Sequence, residues 1–157
     1  MSNSCALPKG AFPTKFKVKS PVHALQLART LIRPYKNWTT GLLAAVNNNN
    51  FDKDEVPVKD PKAEAFCALG ALLRVNTRHQ EKAQEFLELA AARMNRDAQD
   101  LTKECLEDFP PSDDDIFAIN DADHDKYTHG RVLLMFRKAI ALAKNAAKRA
   151  QKARKKR

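Results

Sequence analysis

The stretch KAEAFCALGALLRV, residues 62–75, constrains this chain more than any other. Ala65, Phe66, Cys67, Leu69, Gly70, Leu72 and Leu73 leave it apolar on most faces, so it must be surrounded by the rest of the protein. Asp60-Pro61 ahead of it is a helix-start signal, a cap residue followed by proline in the first turn. The expected element is a central helix. Gly70 costs about 1 kcal/mol against alanine inside a helix, which predicts that a neighbouring helix approaches closely there.

Other segments supply the layer around it. Ser20-Pro21 repeats the cap-plus-proline signal, and Val22, Leu25, Ala28, Leu31 and Ile32 recur at helical spacing up to Pro34. Trp38, Thr39 and Thr40 favour extended backbone, the run of four asparagines at 47–50 favours a loop, and EVPV at 55–58 can return as an edge strand. Thr77 with Gln80 forms a candidate capping box for a third helix through Phe86, Leu87, Ala90 and Met94. A further apolar piece holds Leu101, Cys105 and Leu106, and Pro110-Pro111 stops it. Ser112 with Asp115 is another capping box, ahead of a short apolar turn, IFAI. The longest pattern starts at Val132 and places Met135, Phe136, Ala139, Ile140 and Ala143 on one stripe. The reading is a mainly α fold, a compact bundle of four to six helices with at most a small β-hairpin around residues 38–58. It divides into a basic extended arm at 1–19, a helical domain at 20–143 and a basic helical tail at 144–157.

Charge is distributed unevenly. The net charge is +9. Residues 1–103 carry 16 basic and 10 acidic side chains, residues 104–125 carry nine acids and no base, and residues 126–157 carry 12 bases and no acid. A cationic block of this kind suits nucleic acid or another polyanion. No apolar run nears the roughly 20 residues needed to cross a bilayer. Three scattered cysteines, Cys5, Cys67 and Cys105, suggest thiols in a reducing compartment, which places the protein in the cytoplasm of a cell.

The stretch INDADHDKYTHGRV, residues 119–132, holds the densest polar chemistry. Asp121, Asp123 and Asp125 match the first three ligand positions of a calcium loop, but Lys126 stands where that loop needs glycine and Val132 where it needs a bidentate glutamate. His124 and His129 are the only paired zinc-type ligands. No metal and no cofactor is expected. Cys67, His129 and Asp121 could serve as nucleophile, base and orienter if the fold brought them together. The plainer reading makes Thr128 a helix N-cap, with Asn120 and Asp121 tying the loop to backbone donors. Trp38, the single tryptophan, then reads as a core anchor.

The segments NWTTG, FCALGALLR and IND…THGRVLLMFRKAI occur in that order. Together they resemble a small helical domain of bacterial and phage hypothetical proteins, with motifs Trp-Thr-x-Gly, Trp-Cys-Ala-x-Gly-Ala-Leu, Asn-Asp and Thr-x-x-x-Val-Leu. The resemblance covers about residues 21–143. Its matched positions are Trp38, Gly41, Cys67, Gly70, Asn120, Asp121, Thr128 and Val132, and Phe66 replaces the tryptophan of the second motif. It implies a helical fold and a phage or bacterial origin, and it carries no activity.

The C-terminal segment KNAAKRAQKARKKR has eight bases, no acid and a high helix propensity from its alanines. Lys144, Lys148, Arg149, Lys152, Arg154, Lys155, Lys156 and Arg157 are the expected nucleic-acid contacts, joined by the N-terminal lysines at 9, 15, 17 and 19. Six phosphate contacts would give a salt slope of about −5. Without interleaved aromatics the segment offers no base stacking, so low specificity is expected and the choice between DNA and RNA stays open. Bulky apolar residues are also missing, which argues against a membrane surface. Function is therefore read as non-enzymatic binding to nucleic acid or to a nucleoprotein or virion assembly. The alternatives are a protein–protein interaction module, inhibiting a host factor or building a virion, with a solubilising tail, and a Cys/His/Asp hydrolase or transferase. The tail could also fold back on the acidic stretch 104–125.

Overall fold

The computed structural model describes residues 12–46, 53–75, 78–96 and 110–156 of the 157. Five α-helices among these residues enclose one core, and a small sheet closes one flank.

Helix α1 spans Pro21–Ile32; the Ser20 hydroxyl caps it by accepting from the His23 N–H at 3.1 Å. Its Leu25, Ala28, Leu31 and Ile32 are fully buried, as their spacing demands. A single 3-10 turn at Tyr35–Asn37 leads to Trp38. The strands are β1, Ala44–Val46, β2, Asp54–Glu55, and β3, Ala65–Phe66. β1 lies in the middle and pairs antiparallel with both neighbours, Ala45 opposite Glu55 on one side and Ala44 opposite Phe66 on the other.

The third strand corrects the sequence expectation. Residues 62–67 were expected to be helical, yet Ala65 and Phe66 are extended because the backbone of β1 needs a second partner. Asp60-Pro61 makes a tight turn instead of a helix start, with Asp60 Oδ1 accepting from the Lys62 N–H at 2.7 Å. The central helix α2 is shorter, Ala68–Val75. Trp38 and Thr39 lie outside the named strands, where Trp38 bridges to Phe66. The close approach expected at Gly70 is real but is made by a strand lead-in rather than by a helix: a Cβ on Gly70 would lie 1.7 Å from the Leu43 carbonyl oxygen.

Helix α3 is Gln80–Asn95, α4 is Asp113–Asn120 and α5 is Lys126–Arg154. α3 packs on α4 and α5, and α1 on α2 and α5. The Ser112–Asp115 capping box forms, the Asp115 carboxylate accepting from the Ser112 N–H at 3.3 Å. Thr128 is not the cap of the last helix. Asp125 is, accepting from the Thr128 N–H at 2.7 Å, and Thr128 is buried inside the first turn. An ionised carboxylate meets the positive helix end better than a hydroxyl, so the helix starts six residues before Val132. Thr77 and the Leu101–Leu106 segment lie outside the described residues.

The described part of the N-terminal arm carries no helix or strand, and it is docked. Phe12, Phe16 and Val18 pack against the core, and the Phe12 ring meets Phe66 edge-on at 5.7 Å. Arg74, fully buried, clamps it. Its guanidinium donates to the carbonyls of Phe12 and Pro13, both at 3.0 Å, and to those of Val58 at 2.7 Å and Asp60 at 2.8 Å.

Candidate nucleic-acid interface

Helix α5 is 29 residues long, about 43 Å at 1.5 Å per residue. Ala143 is its last residue packed on the core. Beyond it the helix continues for about 16 Å through Arg154. Lys144, Lys148, Arg149, Lys152, Arg154, Lys155 and Lys156 are all exposed, and Arg157 lies outside the described residues. Among the described residues none of these cations is in an ion pair.

Three of the six acids of residues 110–125 are engaged elsewhere. Asp115 lies 3.6 Å from Arg96, Asp125 caps α5, and Asp121 accepts from the Gly41 N–H at 3.0 Å. The fold-back of the tail onto this part of the acidic stretch is therefore not formed; residues 104–109 lie outside the described set.

The polar stretch before α5 builds a structural knot. Asn120, buried, accepts at Oδ1 from the Trp38 indole N–H and from the Ala68 backbone N–H, both at 2.9 Å. Its Nδ2 donates to the Thr39 carbonyl at 3.1 Å and to Asp121 Oδ1 at 2.6 Å. Asn120 and Asp121 do tie the loop to backbone donors, but the donors belong to distant segments. Gly41, at φ +74, takes a left-handed conformation that only glycine adopts cheaply, and this lets its N–H turn toward Asp121.

Beside the knot, the rings of Tyr35, Trp38, His124 and His129 cluster. Tyr35 lies on His124 with ring centroids 5.6 Å apart, and Trp38 lies 5.1 Å from His124 and 5.2 Å from His129. Burial pushes the His124 pKa down, and the positive charge of Lys53 pushes it the same way. His129 Nε2 sits 2.8 Å from the Ile32 carbonyl. A carbonyl only accepts, so that nitrogen carries the proton.

Cys67 and Asp121 do share a site, a cleft of about 310 Å³ whose wall also includes Leu43, Glu55, Leu69 and Phe117. His129 is not brought to it; its ring is held by Trp38, Tyr35 and Ile32. The Cys67 Sγ accepts from the Gly70 N–H at 3.2 Å. Burial raises its pKa to about 12, and Asp121 opposes ionisation further. Cys67 is thus held as a thiol at neutral pH, whereas a nucleophile needs the thiolate. Among the described residues, no three His, Cys, Asp or Glu side chains converge to hold a metal ion. No helix among them is long and apolar enough to cross a membrane.

Two features escaped the sequence reading. Arg74 was legible in principle, as one charge inside an apolar run. The paired use of Asn120 by Trp38 and Ala68 had no local signal.

These features define a class: a small helical domain, flanked by a short three-stranded sheet and keyed by one buried asparagine, from which a basic helix projects. Residues 17–142 match the model of DUF6197, a family of unknown function, and the chain belongs to that family. The match excludes the projecting tail. No curated protein and no solved structure matches the chain.

Proposed function

We propose that this protein is a non-enzymatic binding protein of phage or bacterial origin, working in the cytoplasm of the cell or infected host. Its basic C-terminal helix contacts nucleic acid or a nucleoprotein or virion assembly. The observation that carries this reading is the exposed run from Lys144 to Lys156, held as a helix extension and, among the described residues, unneutralised by the protein's own carboxylates. Phosphate backbones bind such a cation array through counterion release, without sequence preference.

The test is fluorescence anisotropy against labelled DNA and RNA over a salt series. Removing residues 144–157 is expected to weaken binding at low salt and to flatten the salt slope, by about 5 if six phosphates are contacted. Unchanged binding after the deletion overturns the assignment.

A second reading, a protein–protein interaction module with a solubilising tail, draws on the Cys67 cleft. Its apolar wall and its carboxylates Glu55, Asp113 and Asp121 suit a basic side chain of a partner. Recovery of one protein partner after nuclease treatment, equally by the tail-less variant, would favour it.

A further inference from the structure

A second cationic feature lies on the body, where α1 crosses α5. Arg29, Gly130, Leu133, Leu134 and Arg137 line a groove of about 210 Å³. Arg29 is half-buried, and its Nε donates to the Leu133 carbonyl at 3.4 Å. Among the described residues no acceptor is found for its terminal nitrogens Nη1 and Nη2. Burial, then Arg33 and Arg137, push the Arg29 pKa down, and no carboxylate counters them. The sequence explains why: neither α1 nor α5 contains a single Asp or Glu. The Arg29 and Arg137 side chains thus line one small space, with the charge of Arg33 near enough to act on Arg29 and no carboxylate to compensate. An anion there would offset the mutual repulsion of these charges, and guanidinium forks match phosphate geometry.

Gly130 opens the floor of this groove. It is the fifth residue of α5, where glycine costs about 1 kcal/mol against alanine. No packing requires it, since a Cβ there would meet nothing within 4 Å. A missing side chain at this point allows close approach by a ligand.

The groove is also aligned with the tail. Gly130, Arg137, Lys144, Lys148 and Lys155 are separated by seven, seven, four and seven residues, which keeps them on one face of a continuous helix about 37 Å long from first to last. Tyr127 stands one turn before Gly130 and is 75% exposed, the one large hydrophobic residue so exposed among those described. An aromatic ring beside a basic groove is a platform for an unpaired base.

We propose that the α1–α5 groove binds a phosphate group of a single-stranded nucleic acid, held by Arg29 and Arg137 with Arg33 adding its charge, and with Tyr127 stacking on an adjacent base. The inference rests on the nucleic-acid reading of the tail and extends that surface onto the family domain. It supplies the stacking that the tail lacks.

The experiment uses the full chain with a labelled oligothymidylate of about twenty nucleotides and a duplex of the same length. Arg33→Gln with Arg137→Gln removes two exposed charges; Lys62→Gln with Arg93→Gln removes two exposed charges elsewhere. The groove pair is expected to weaken oligothymidylate binding about tenfold and to flatten the salt slope by about 0.7, the single-strand value for one phosphate, while the control pair changes both much less. Gly130→Glu places a carboxylate in the groove, displaces no protein atom and should weaken binding about tenfold; Gly130→Ala should not. Tyr127→Ala should cost about fivefold on the single strand with an unchanged salt slope, and nothing on the duplex.

Groove variants that bind like the control pair overturn the proposal, even if deletion of the tail abolishes binding. If the intact chain ignores both oligonucleotides, the nucleic-acid reading fails. Inorganic phosphate then decides the groove separately. Shifts of the Gly130 amide resonance that vanish in the Arg33→Gln/Arg137→Gln variant would make it a site for free phosphate, and no shifts would leave it no anion site at all.

Discussion

Trp38 and Asn120, 82 residues apart, are joined by a 2.9 Å hydrogen bond from the indole N–H to the amide oxygen, and both side chains are fully buried. The same oxygen accepts the Ala68 N–H at the start of α2. One side chain therefore ties the segment after α1, the central helix and the end of α4 together.

Replacing that side chain tests its weight. Asn120→Ala leaves two buried donors, the Trp38 indole and the Ala68 amide, without an acceptor. At roughly 1–3 kcal/mol per orphaned group, the expected loss is about 3 kcal/mol, read from urea unfolding midpoints. Trp38→Phe removes one donor only. In the Asn120→Ala background its effect should shrink by about 1 kcal/mol, and additive effects would show that the bond contributes little.

Gly70 gives a prediction against intrinsic propensity. In an isolated helix Gly70→Ala would stabilise by about 1 kcal/mol. Here the new Cβ would fall 1.7 Å from the Leu43 carbonyl oxygen, a backbone atom held beside β1, so α2 and the sheet must separate. The expected outcome is destabilisation by about 3 kcal/mol or failure to fold, measured by circular dichroism and urea titration. A variant as stable as the wild type would contradict the contact.

His124 makes stability depend on pH. Its folded pKa lies below the ordinary 6.5, because burial, Lys53 and His129 all disfavour the imidazolium, outweighing a Trp38 backbone contact that favours it. Tyr35 packs on the same ring, and its hydroxyl donates to the His124 carbonyl at 2.9 Å. The unfolded chain therefore binds a proton at 6.5 while the folded chain resists it. This stability is complete above 6.5 and is lost as pH falls from 6.5 toward the lowered folded value. Between about pH 7.5 and about pH 5.5 the wild type should lose more stability than His124→Gln, by differential scanning calorimetry. Equal losses would place the titration elsewhere.

Periodic apolar spacing located α1, α3 and the core stripe of α5, because a helix that buries one face shows it locally in its sequence. The caps at Ser20 and Ser112 were legible for the same reason: donor and acceptor lie within four residues. Residues 65–67 were read as helix, since alanine, phenylalanine and cysteine in an apolar run satisfy either conformation. Only the otherwise unpaired edge of β1 makes a strand of Ala65 and Phe66. The Asp125 cap was hidden by Thr128, which offers an equally plausible hydroxyl three residues on.

The amino-acid sequence alone determined the helical class, the exclusion of acids from residues 126–157, and a tail able to stay helical and charged. These are local properties of composition and spacing. The tertiary structure decided which groups meet: Asn120 with Trp38 and Ala68, Arg74 with the arm, and Arg29 with Arg137 across two helices. Each of these meetings joins residues more than 50 positions apart. Long-range contacts depend on how whole elements pack, and no periodicity within one segment records them.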